Sequence, residues 1–184
     1  MIESQSIVII CYGDSQNGFG HIRRAVSLLN FLSVENKATK IAGLSEQSNR
    51  LLSSLVSANK ILNFDLHEIK ESNIVIDSPL NFDDLVAMLQ KADNKIITMD
   101  YFGELEPDIN IVIYPHEPVR GVRTYVGFDY VIIRKEFSEL LKNTKKQSNN
   151  SAVISLGGGD VLEQSTKAAK KLLEIGYSPI IIYG

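Results

Sequence analysis

The sequence predicts an α/β protein built on a doubly wound, Rossmann-like parallel sheet, and three observations carry that expectation. Short runs rich in Ile and Val recur at residues 6–11, 40–42, 74–76, 95–99, 109–113, 130–133, 152–156 and 179–183. Most are continuously apolar rather than alternating, which is how strands read when helices cover both faces of a parallel sheet. The segments between several of them show the 3.6-residue period of amphipathic helices, so strand and helix alternate along the chain.

Taken in order, the first strand ends in Cys11, the single cysteine, and a glycine-containing turn leads from it into the first helix. That helix sets Ile22, Val26 and Leu29 on one face, with Ala25 and Leu32 beside them. The second lines up Leu51, Leu52, Leu55 and Val56, and the third Phe82, Leu85, Val86 and Leu89. A last helix carries Val161, Ser165, Ala168, Ala169 and Leu172 and stops at Gly176, a residue suited to the left-handed turn after a helix.

Residues 143–151 read NTKKQSNNS, polar throughout, and divide the chain. The expected organisation is an N-terminal Rossmann-like domain over 1–142, a linker over 143–151, and the start of an incomplete nucleotide-binding domain over 152–184. A single strand–helix–strand unit is too small to be stable alone. Leu156, Leu172, Ile180 and Ile182 are the side chains expected to seek cover, from the first domain, a second copy of the chain or a missing remainder.

With 44% hydrophobic residues the chain can bury a sizeable core, and its net charge of −3 is scattered. A nucleic-acid binder would show a basic stripe, so that class is not expected. No apolar stretch approaches the ~20 residues of a membrane span. The first five residues lack a signal-peptide pattern and one cysteine allows no internal disulfide, so a cytoplasmic protein is expected. The three histidines share no spacing with one another or with acids that suggests a zinc site, and no metal or cofactor is expected.

Two segments are placed to carry chemistry. The first, residues 13–24, reads GDSQNGFGHIRR and joins the first strand to the first helix, at the sheet edge where ligands bind in such folds. Gly18 and Gly20 allow the backbone to approach a ligand closely. His21 falls in the first helical turn, where a neutral imidazole facing a cleft is a competent general base for water. Arg24 lies three residues on, on the same helical face, suited to steadying a phosphate or sugar group. Spacing alone equally allows ordinary turn glycines, a capping histidine and a surface arginine. The segment is neither a dinucleotide fingerprint, lacking a third glycine, nor a P-loop.

The second, Ser155-Leu156-Gly157-Gly158-Gly159-Asp160, lies between a strand and a helix, where backbone amides can cradle a diphosphate. A plain turn capped by Asp160 is the other reading. Asp77-Ser78 and Asp100-Tyr101-Phe102 stand at strand ends, where a carboxylate either faces the cleft or caps the next element. His67 reads as surface, and His116, between Pro115 and Pro118, sits in a stiff loop able to line the cleft.

The order D-S-x-x-G-F-G-H-I-x-R at 14–24, GFDYVIIRKEF at 127–137 and S-L-G-G-G-D at 155–160 resembles the UDP-sugar hydrolases of pseudaminic acid biosynthesis and related spore-coat polysaccharide proteins. The resemblance spans the chain but only the amino-terminal half, or slightly more, of such a protein. It implies one half of a two-domain, GT-B-type glycosyltransferase fold. It also implies hydrolysis of a UDP-linked amino-deoxy-hexose, with inverting attack of water at the anomeric carbon and no required metal.

On that resemblance His21 matches the proposed base, and Asp14, Gly18, Gly20 and Arg24 match the rest of its motif. Phe19 within the motif, and Asp100 and Tyr101 beyond it, are the further candidate substrate contacts. Gly157, Gly158 and Asp160 match the first loop of the nucleotide-binding domain. Tyr12 departs from the family, which often carries arginine two residues before the loop aspartate. The competing expectations are a glycosyltransferase of the same architecture and a non-catalytic or split subunit completed by another chain. If the second domain is incomplete, this chain alone is expected to be inactive.

Overall fold

A computed structural model describes residues 6–35, 38–62, 65–140, 150–156 and 162–182. The elements are β1 (Ile7–Cys11), α1 (Gly20–Glu35), β2 (Lys40–Gly43), α2 (Glu46–Leu55), β3 (Asn73–Asp77), α3 (Asp83–Gln90), β4 (Lys95–Met99), β5 (Ile109–Val112), β6 (Arg123–Val126), α4 (Lys135–Leu140), β7 (Ser151–Ser155), α5 (Leu162–Glu174) and β8 (Ser178–Ile182).

β1 to β6 form one sheet in the order β2-β1-β3-β4-β5-β6, and every neighbouring pair is parallel. From β1 the chain first crosses to β2 on one side and then returns to β3 on the other. The order therefore reverses between β1 and β3, which is where an open α/β sheet leaves a crevice at its carboxyl edge.

The period-2 alternation of each strand sorts the core into two layers. Val8, Ile10, Ile74, Ile76 and Ile96 face one way and pack with Phe82, Val86 and Leu89 from α3 and its start. Ile9, Cys11, Val75 and Met99 face the other way and pack with Ile22, Ala25 and Leu29 of α1 and Leu52 of α2. These strands are apolar on both faces because both faces are covered, so the Rossmann-like, doubly wound expectation holds. The register sets Cys11 beside Asp77, and Asp77 beside Met99, in one row across the carboxyl edge. Asp77 continues the Val75 face, so its side chain emerges on the α1 side.

The expected strand at 130–133 is corrected. Phe128–Tyr130 is a 3-10 turn, and the sixth strand is Arg123–Val126, whose four residues are all exposed. An edge strand covered on neither face carries no apolar signature. The run Val131-Ile132-Ile133 is apolar for another reason: Ile132 packs on the α1 layer instead of pairing in the sheet.

β7 and β8 pair in parallel with each other as a separate two-stranded sheet, and Gly176 ends the connection from α5 at φ +84°. Ile154, Ser165 and Ala169 are buried within this unit, whereas Leu156, Ile180 and Ile182 remain about half exposed. Residues 143–149 of the expected linker lie outside the described residues, as do Gly157, Gly158 and Asp160. No helix among the described residues is long and apolar enough to cross a membrane.

Candidate functional site

The turn between β1 and α1 is organised by its own side chains. Asp14 Oδ1 accepts from the backbone amides of Gln16, at 2.9 Å, and Asn17, at 2.6 Å, which winds the loop around the carboxylate. Oδ2 accepts from the Tyr12 hydroxyl at 2.5 Å. The Tyr12 and Asn17 hydrogen bonds hold the Asp14 carboxyl below its usual range and keep it an acceptor. Tyr12 thus supplies the donor that fixes Oδ2. Asp14 shapes the loop and has both oxygens engaged in doing so.

Gly13 is pinned from α2: the Ser48 hydroxyl receives its amide at 3.0 Å and donates to its carbonyl at 2.9 Å. A Cβ on Gly13 would lie 2.9 Å from the Gly18 carbonyl oxygen and 2.9 Å from Ile22 Cδ1. Gly18 takes φ +79°, which lets the loop close back onto Asp14 as an isolated antiparallel bridge. A Cβ on Gly18 or Gly20 would meet nothing within 4 Å, so the space above that stretch of backbone is open. Phe19 is half-buried and anchors the loop against the α1 layer.

The loop delivers α1 with His21 and Arg24 pointing at the ends of β3 and β4. His21 Nδ1 lies 2.6 Å from Asp77 Oδ1. Arg24 grips the same carboxylate through two nitrogens, Nε to Oδ2 at 2.7 Å and Nη2 to Oδ1 at 2.7 Å. Its Nη1 donates to Asp100 Oδ2 at 2.7 Å. The Asp77 side chain is 1% exposed, against 25% for His21, 20% for Arg24 and 25% for Asp100.

Burial opposes ionisation of Asp77, but the hydrogen bonds from Arg24 and His21 and the charge of Arg24 outweigh it and hold its carboxyl below the ordinary value. Desolvation works against the charge of Arg24 too, and its two carboxylates overcome it, raising its pKa. An ionised carboxylate only accepts, so Nδ1 of His21 must carry the hydrogen. In the neutral ring the lone pair is then on Nε2, and Nε2 has no hydrogen bond among the described residues. The 3.4 Å approach of Arg24 Nη2 to Nδ1 is a contact between two donors that share Asp77 Oδ1. Asp77 fixes both the tautomer and the direction of the imidazole.

Asp100 reaches this cluster through an unusual backbone. It adopts φ +51°, a conformation that aspartate tolerates better than most side chains. Its amide donates to the Ile111 carbonyl at 2.8 Å, and its Oδ1 accepts from the Ile113 amide at 2.8 Å, which ties the turn after β4 to β5. Asn110, fully buried, steadies the same turn by donating to the carbonyls of Tyr101 at 2.8 Å and Arg120 at 2.9 Å. Cys11 sits below the cluster with its thiol pushed up to about 12, first by burial and then by the charge of Asp77, so it stays a neutral core group.

The structure therefore brings together His21, Arg24 and Asp100 and adds Asp77 at their centre. Arg24 directs three of its N–H donors at the two carboxylates and is 20% exposed. Tyr101 is corrected from substrate contact to core residue. It is 2% exposed and stacks on Phe82 at 4.9 Å, and its hydroxyl donates to Asp83. Asp100, Arg24 and Phe102 border a cleft of about 410 Å³ with Ile113, Tyr114 and His116. His67 belongs to a 3-10 turn remote in sequence from this edge. Among the described residues no cluster of His, Cys, Asp and Glu is built to hold a metal ion.

No protein-family model matches the chain, and no curated protein matches it significantly.

Proposed function

We propose that the chain supplies the sugar-side, water-activating half of a nucleotide-sugar hydrolase. The observation that carries this reading is His21, held by ionised Asp77 at the switch point of the sheet, with the Nε2 lone pair left over. Water attacks the anomeric carbon, its proton passes to Nε2, and the bond from that carbon to the diphosphate oxygen breaks. UDP leaves with the electron pair, and the free amino-deoxy-hexose forms with inverted configuration.

The cluster sets two carboxylates against one guanidinium. That balance suits a sugar carbon gaining positive charge and repels a diphosphate, so the nucleotide is gripped elsewhere. The resembled loop at 155–160 is the proposed start of that grip. The three motifs supply the sugar and UDP in this reading, and the catalytic geometry supplies the base. A cytoplasmic location goes with it, because nucleotide sugars are made and used there.

The test is kinetic, on the protein as the cell makes it, with UDP-linked amino-deoxy-hexoses. His21→Ala is expected to slow hydrolysis by ~10²–10⁴ with little change in substrate binding. His21→Asn keeps the shape without the basicity and is expected to be nearly as slow. Full activity in either variant would remove His21 as the base. A product carrying an added acceptor in place of the free sugar would make the protein a transferase.

A further inference from the structure

We propose that Phe102, Tyr114 and His116 form a stacking subsite for a pyranose ring in the cleft beside Asp100 and Arg24. The proposal rests on the sugar-side reading above but concerns residues that neither the motifs nor the His21 cluster includes.

Phe102 follows Asp100 and Tyr101 in the turn after β4, while Tyr114 and His116 follow β5, so two adjacent strand ends supply the three rings. The rings of Phe102 and His116 meet at 4.2 Å between centroids with planes 48° apart. His116 Nδ1 points to the Tyr114 carbonyl at 3.4 Å, and Pro115 and Pro118 stiffen the loop around it. When Nδ1 donates to that carbonyl, Nε2 of His116 is left as an acceptor.

The cleft of about 410 Å³ is otherwise aliphatic, with Ile113, Val131 and Ile132, except where Arg24 and Asp100 enter it. Tyr114 is 71% exposed, so its ring is open to a ligand from solvent. A pyranose matches both kinds of surface. One face of its ring is C–H and lies on an aromatic side chain, while its hydroxyl or amide edge hydrogen-bonds carboxylate and imidazole. Asp100 and Arg24 in the lining make a purely apolar occupant a poorer fit. Asp100 also accepts from Arg24, which shares Asp77 with His21, so the cleft adjoins the cluster through Arg24.

The experiment is saturation-transfer NMR on the intact chain with methyl glycosides of glucose and N-acetylglucosamine, irradiating the aromatic protons. Saturation of the ring C–H protons is expected at millimolar sugar, and Phe102→Leu is expected to reduce it at least fivefold. Phe102→Trp should preserve it, and His116→Ala should weaken it. Absence of transfer to either glycoside, or transfer unchanged in Phe102→Leu and His116→Ala, overturns the subsite. The result is separable from hydrolysis: transfer without any UDP-sugar cleavage leaves the subsite standing and removes the enzymatic reading. UDP-sugar cleavage with no transfer to either glycoside does the reverse.

Discussion

At Asp77 burial and charge pull in opposite directions, and the partners on α1 decide the outcome. The carboxyl is held below its ordinary value in the folded chain, so the unfolded chain takes up a proton at higher pH. The stabilisation from this group is complete above the unfolded value near ~3.9 and drains away as pH falls through the folded one. Asp77→Ala strands half of Arg24's pairing and is expected to cost about 3 kcal/mol at neutral pH, the lower end for breaking a buried pair because Arg24 is partly exposed. In urea unfolding that cost should shrink steadily below pH ~4; a pH-independent difference would mean the carboxylate is not ionised in the fold. His21 was legible in the sequence from its place in the first helical turn. Asp77 was only one of two strand-end carboxylates, since a terminal aspartate caps or turns as often as it binds. Its partners lie 53 and 56 residues away, a separation that spacing cannot read.

At the scale of elements, apolar runs and the 3.6-residue period announced the strands and helices that give at least one face to a core. β1, β3 and β4 are apolar on both faces because two helical layers cover them. β6 was hidden because it is exposed throughout, and 130–133 misled because Ile132 is apolar for packing on α1 rather than for pairing. Tyr101 misled for a similar reason: an aromatic group after a strand-end aspartate suits a cleft and a core alike. The loop between β1 and α1 separates glycines needed for packing from glycines left open. Gly13→Ala places a Cβ against the Gly18 carbonyl and Ile22, and is expected to destabilise by roughly 1–3 kcal/mol. Gly20→Ala meets nothing and should leave the thermal midpoint within about 2 °C of the parent, a shift worth under ~0.5 kcal/mol. Comparing the two melting curves checks the loop geometry, and equal losses would show it to be wrong.

Across the whole molecule, the order reversal between β1 and β3 is what assembles the site. It sets the end of β3 directly beside β1, so the helix that follows β1 carries His21 and Arg24 over Asp77, and Asp100 joins from β4. The strand order was not readable from the pattern of elements, which fixes alternation but not neighbours. The sheet was therefore foreseen, while the meeting of three of its loops was not. The account comes down to where water attacks. Cleavage of a UDP-linked amino-deoxy-hexose in H₂¹⁸O, followed by mass spectrometry and early-time NMR of the sugar, reads this directly. The account predicts ¹⁸O at the anomeric carbon, none in UDP, an inverted first-formed anomer, and release of both products slowed by ~10²–10⁴ in His21→Ala. Label in the β-phosphate of UDP, or undiminished release from His21→Ala, would contradict it.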